Sequence, residues 1–232
     1  MVLSYLLALL LGAASFFSKE FMEKFEKKKS KFTSFTIGLA TVYVFLQLLP
    51  EAYQGVPTYG IAIFVTTLIG FSIFHIGEKL ISKYEKKPKL RRDLGILHLL
   101  VFFFYHTVVG ITLVELLETK LLAGVLFAVS LSFIYLTTSA LFEELHAKKG
   151  SHILSKRIIS AGTFLLGVTI AEVFHINAEL LFPALGFVSG VLIYIVGKEV
   201  LPQQKASNPG YFTLGIMVYT TVLLLLNYYG LI

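Results

Sequence analysis

At 232 residues, 56% of them hydrophobic, the chain is too apolar to be read as a soluble domain. Its net charge of +6 does not point to nucleic acid, because the basic residues are packed into short gaps between long apolar runs. It has no cysteine, which excludes disulfides, thiolate metal ligands and cysteine nucleophiles.

The apolar runs cover about 2–17, 32–53, 58–81, 94–117, 121–142, 158–176, 179–201 and 211–231. Most reach the roughly 20 residues needed to cross ~30 Å of hydrocarbon at about 1.5 Å per residue. Of the 20 Lys and Arg residues, all but Lys120 fall in every second gap or, as Lys79 and Lys198, at the end of the run that leads into it. Loops that stay cytoplasmic retain Lys and Arg. The pattern therefore predicts a single all-α, multi-pass domain in the cell membrane. It has eight transmembrane helices, basic loops in the cytoplasm and both termini outside.

The first run has Ala13-Ala14-Ser15 near its end, as a signal peptide would, but no basic residue precedes its apolar core. It is expected to be a retained helix. Ser18–Lys31 then places Lys and Glu at helical spacings beside Phe21 and Phe25, and is expected to be either a helical extension near the headgroups or a solvated charged loop. The second run ends outward in Gln47-Leu48-Leu49-Pro50-Glu51-Ala52, and the third runs inward through Gly70-Phe71 to His75 and Glu78-Lys79. Lys83–Asp93 is expected to be a short basic loop.

The fourth run carries His98, Tyr105, His106 and Gly110, and a turn at Glu118-Thr119-Lys120 leads to the fifth, which is rich in hydroxyls. The sixth ends outward at Glu172 and His175, and the seventh passes Gly186, Gly190 and Tyr194 to Val200-Leu201-Pro202. Leu-Leu-Pro outside and Val-Leu-Pro inside, in opposed orientations, point to inverted repeats of three helices flanking the fourth and fifth, a 3+2+3 plan used by carriers.

Three stretches resemble the Zrt/Irt-like (ZIP) family of divalent-metal transporters. They are Gln47–Ala52 (similar to the family's HLLPEA), Gly70-Phe71 through Glu78-Lys79-Leu80, and Ala184–Pro202. The resemblance implies a ZIP-like fold and alternating-access movement of a divalent cation of the zinc, iron or manganese class toward the cytoplasm. It implies no enzymatic activity and no covalent cofactor. The family's fourth-helix metal motif is not kept: aligned on Gly110, Tyr105 stands at the His, His106 at the Asn and Val109 at the carboxylate. On the fifth helix, Leu131–Thr138 has no His, Glu or Pro, and Gln47 replaces the second-helix His.

Ionisable groups in spanning helices are costly, so each invites a functional reading. The candidate metal ligands are His106 and Gln47 in the middle, with Glu51, Glu172 and His175 toward the outer surface. Glu172 and His175, three apart on one helix face, can grip one ion. Glu115 belongs to the same outer level. A possible inner exit is His75, Glu78 and His98. His146 and His152 sit among lysines and are expected to be solvated. His98 and His106 differ by about 80° around a helix and cannot share a haem. The expected partners are the lipid bilayer and the metal ion, with a homodimer left open and no nucleic acid. The alternative expectation is a ZIP homologue that has lost transport and acts as a membrane scaffold or binding protein.

Overall fold

The computed structural model describes residues 2–83, 88–146, 153–174, 180–200 and 208–230. Among them the chain is helical with no strand: α1 (Val2–Phe16), α2 (Ser18–Lys24), a 3-10 turn (Glu26–Lys28), α3 (Lys29–Val42), a π-helical turn (Tyr43–Leu48), α4 (Leu49–Tyr53), α5 (Val56–Tyr59), α6 (Ala62–Lys83), α7 (Pro88–Thr119), α8 (Leu121–His146), α9 (Ile153–Phe174), α10 (Leu181–Val200) and α11 (Pro209–Tyr228).

Among the described residues five stretches are long and apolar enough to cross a membrane: Glu26–Tyr53, Ala62–Leu80, Phe102–Thr119, Leu181–Lys198 and Pro209–Tyr228. A sixth is formed if α1 and α2, bent by 55°, count as one span. Leu121–Thr137 and Ala161–Phe174 are shorter apolar helices. Large apolar side chains are exposed along α1, α6 and α11, among them Leu6, Leu9, Leu68, Ile69, Ile76, Met217 and Leu224. A water-facing surface does not carry such continuous apolar faces, whereas acyl chains solvate them.

The helices begin and end where backbone chemistry dictates rather than where hydropathy changes. Pro88 opens α7, so the basic stretch from 88 to 93, expected as loop, is its first turns instead. Proline suits that position because it lacks only an N–H that has no acceptor there. The third apolar run is split by Gly60, whose φ of 55° breaks the chain between α5 and α6. The π-turn precedes Pro50, which supplies no N–H to the preceding turn and forces the helix to widen.

The long helices pack as two groups. One contains α1, α7, α8 and α9, with α2 against α8; the other contains α3, α4, α6, α10 and α11; across the boundary α7 packs on α6 and α10, and α3 on α8. Within the groups, three pairs meet at glycine. A Cβ on Gly38 would strike the Phe212 carbonyl, and one on Gly215 the Phe35 carbonyl, so α3 and α11 cross backbone to backbone. Gly70 meets the Phe187 carbonyl and Gly190 the Thr67 carbonyl where α6 crosses α10. Gly110 meets the Phe164 carbonyl and Gly167 the Thr107 carbonyl where α7 crosses α9. Small residues let helices approach this closely, and the gain is van der Waals contact with Cα–H···O contacts added.

Ser34 accepts from the Asn208 N–H at 2.9 Å near the start of α3 and α11. Gln47 meets Tyr219 further along, so that pair runs parallel. Glu172 with Ser4 and Ala161 with Gly12 show α1 and α9 to be antiparallel. Alanine at Gly190 or Gly215 is expected to lower stability in detergent by about 1–3 kcal/mol through overpacking. Alanine at Gly162 or Gly197, where a Cβ meets nothing within 4 Å, is expected to lower it not at all. Thermal unfolding of the four variants checks both statements.

Candidate functional site

The middle of the bundle is set by the α7–α9 crossing. One turn before Gly110, His106 is buried and its ring stacks on Phe164 of α9 at 4.3 Å between centroids. Tyr135 of α8 stands edge-on to it at 5.2 Å, and Phe102 and Tyr105 flank it on α7. Tyr105 reaches the other helix group through Phe74 of α6, at 5.5 Å. The imidazole therefore lies among aromatic rings that exclude water, with the Phe164 ring stacked on it. The buried Tyr105 and Tyr135 hydroxyls lie within each other's electrostatic reach but form no well-aligned hydrogen bond among the described residues.

Gln47 is built into a separate polar relay. The Tyr219 hydroxyl of α11 donates to Gln47 Oε1 at 2.7 Å, and the Ser130 hydroxyl of α8 donates to the Tyr219 oxygen at 3.0 Å. The π-turn makes this possible. Gln47 follows the crossing glycine Gly38 by nine residues, whereas Glu78 follows Gly70 by eight, and one extra residue is what a π-turn absorbs. Ser132 and Thr137, two of the hydroxyls of the fifth run, donate back to the Ala128 and Ile134 carbonyls of α8 at 2.7 and 2.8 Å.

Of the expected outer carboxylates, Glu51 and Glu172 are engaged. Glu51 accepts from Lys120 Nζ at 3.0 and 3.1 Å through its two oxygens, and from Gln54 Nε2 at 3.1 Å. Lys120, the lysine outside the alternating pattern, thus neutralises the glutamate of the Leu-Leu-Pro-Glu segment and ties α4 to the α7–α8 turn. Glu172 accepts from the Ser4 hydroxyl of α1 at 2.6 Å. Glu115 is buried on α7. His175 lies outside the described residues.

On the expected inner side, Glu78 of α6 accepts from the Tyr194 hydroxyl at 2.6 Å and from Lys198 Nζ at 2.5 Å, both on α10. His75, one turn earlier, stacks on Phe71 at 5.9 Å and meets the Tyr194 ring edge-on at 5.7 Å. The backbone of His98 belongs to α7, while its side chain lies outside what is described, as does that of His146. His152 and the Leu201-Pro202 closure also lie outside the described residues.

Among the described residues no three His, Cys, Asp or Glu side chains gather to hold a metal ion. The candidates stand instead as four local clusters: the His106 box, the Gln47–Tyr219–Ser130 relay, the outer carboxylates and the Glu78–Tyr194–Lys198 triad. Sequence reasoning missed Tyr219, Lys120 and Lys198 as partners. Two signals were present: the isolation of Lys120 among the basic residues, and the recurrence of Gly-x-x-x-Tyr at Gly190–Tyr194 and Gly215–Tyr219. No protein-family model and no curated protein matches the chain.

Tyr219→Phe removes the hydroxyl shared by Ser130 and Gln47 and leaves a polar group without its partner. It is expected to destabilise the protein by about 1–3 kcal/mol. Tyr228→Phe, at a position 82% exposed, is expected to be neutral. Detergent unfolding curves for the two variants make the comparison.

Proposed function

We propose that this chain is a ZIP-like carrier of eight membrane-crossing helices that moves a divalent cation of the zinc, iron or manganese class toward the cytoplasm by alternating access. The observation that carries the reading is the division of the long helices into two groups built around glycine-crossed pairs, with ring contacts and isolated polar links between them among the described residues. Tyr43 against Phe127 and Phe104 against Phe187 exemplify that boundary. The eight-span reading is supported by relative direction: α3 parallel to α11 and α1 antiparallel to α9 are what strict alternation across a membrane gives. The inverted 3+2+3 repeat is supported by the crossings. Gly38/Gly215 and Gly70/Gly190 join the second run to the eighth and the third to the seventh, as exchange of two opposed repeats requires.

In this reading basic loops face the cytoplasm and both termini lie outside. Glu51, Glu172 and His175 receive the ion, His106 and Gln47 line the middle, and His75, Glu78 and His98 line the exit. Cation capture at Glu51 displaces Lys120, which makes the outer ion pair a lock that the substrate itself opens.

A second reading, a ZIP homologue that acts as a membrane scaffold without transport, is favoured by one observation: the carboxylates are engaged with protein partners and no metal-holding cluster forms among the described residues. Purified protein in liposomes separates the two. The carrier reading expects uptake of at least one of zinc, manganese, iron and cadmium, and loss of it in His106→Ala. No uptake of any of the four leaves the scaffold reading.

The absence of native cysteine permits a second test. Gln54→Cys with Lys120→Cys, joined by a reducible bifunctional reagent, is expected to stop uptake until the bridge is reduced. Uptake unchanged by the bridge overturns the outer lock.

A further inference from the structure

The connector from Phe17 to Lys31 leaves the membrane-crossing direction at once: α2 turns 55° away from α1 with a single residue, Phe17, between them. One face of α2 is fixed to the protein, because Ser18 and Met22, four residues apart, are buried and α2 packs on α8. The remaining surface has two characters side by side. Phe17 and Phe25 are exposed, and Phe21 links Phe25 to Phe32 of α3 with centroids 4.9 and 5.1 Å apart. Beside this aromatic edge Lys24, Lys27 and Lys28 are exposed, and Lys31 reaches over the Tyr211 ring at 5.3 Å.

The charge is lopsided. Residues 18–31 hold lysines at 19, 24, 27, 28, 29 and 31 against glutamates at 20, 23 and 26, and Glu23 is paired with Lys19 at 3.8 Å. An amphipathic helix with exposed aromatic side chains, next to an excess of lysine and continuous with a spanning helix, matches the layer where acyl chains meet anionic headgroups. A soluble acidic partner would satisfy the lysines but leave the phenylalanines without an apolar neighbour. The leaflet supplies both.

We propose that the connector from Phe17 to Lys31 is an anionic-phospholipid binding surface, with the phenylalanines seated at the acyl boundary and Lys24, Lys27 and Lys28 on the headgroups. The proposal rests on the membrane embedding of the chain and is independent of cation transport.

The chain has no tryptophan, so Phe25→Trp installs a single fluorophore in the aromatic edge. The variant is placed in phosphatidylcholine bilayers containing equal mole fractions of either brominated phosphatidylglycerol or brominated phosphatidylcholine. The expected result is blue-shifted emission, quenched several-fold more by the brominated anionic lipid. That preference is expected to collapse when K24Q, K27Q and K28Q are added, and also at high salt with the lysines intact. The salt arm needs no lysine substitution, so it stands even if the triple variant misfolds. Equal quenching by the two lipids overturns the proposal, as does a preference that neither salt nor the lysine changes alter. Emission typical of water that neither lipid quenches overturns it too.

Discussion

Close backbone contact at glycine is the constraint on which the rest of this structure depends. Lipid tails are as apolar as the side chains they touch, so burial alone gives little reason for one spanning helix to prefer another. What remains is contact distance, and the three crossings at Gly38/Gly215, Gly70/Gly190 and Gly110/Gly167 bring helices together until only a hydrogen fits between backbones. The polar chemistry hangs on those points. Tyr219 lies four residues after Gly215, Tyr194 four after Gly190, and His106 four before Gly110. Each is one turn from a crossing, where side-chain position is fixed by the helices' proximity. The Tyr219–Gln47 and Tyr194–Glu78 hydrogen bonds, at 2.7 and 2.6 Å, are consequences of that geometry.

The same distinction explains what could be read from the sequence. Hydropathy reports which residues prefer lipid, and the apolar runs accordingly coincide with long helices and with His106 buried near the middle of α7. Gly110, Gly186 and Gly190 were visible as glycines inside apolar runs, but not as points of contact. Partnership was not visible, because pairing of α3 with α11 joins residues more than 170 positions apart and leaves no local trace. Lys120 illustrates the limit well. Its exception to the basic pattern was plain, yet only the fold shows that the exception neutralises Glu51. The π-turn was also invisible, since Pro50 announces a disturbed helix but not the direction in which Gln47 is turned.

The engagement of the carboxylates follows from their surroundings. A bare carboxylate in hydrocarbon is costly by several kcal/mol, so a membrane protein must compensate it whether or not a ligand is present. Lysine does so for Glu51 and Glu78, and hydroxyls add to it at Glu78 and Glu172. Compensation by lysine and capture of a metal cation are mutually exclusive at one oxygen pair, because both need the same lone pairs and the two positive charges repel. A cation reaching Glu51 therefore competes with a tethered ammonium.

The energetics also locate where this fold can move. Between the two helix groups, the Lys120–Glu51 pair has a lysine 47% exposed, and such pairs contribute about 0–1 kcal/mol. The Ser130–Tyr219 hydrogen bond contributes about 0.5–1.5 kcal/mol, and an aromatic pair such as Tyr43 with Phe127 a similar amount. These are links that can be broken and remade singly as one surface slides over another. Inside each group the crossings are different in kind. Sliding α6 past α10 drives Gly70 out from beneath the Phe187 carbonyl and puts a neighbouring side chain there, so every step collides with backbone. Sliding within a glycine-crossed pair is therefore opposed by hard-core repulsion, whereas the hydrogen bonds, ion pair and ring contacts named between the groups can be broken singly.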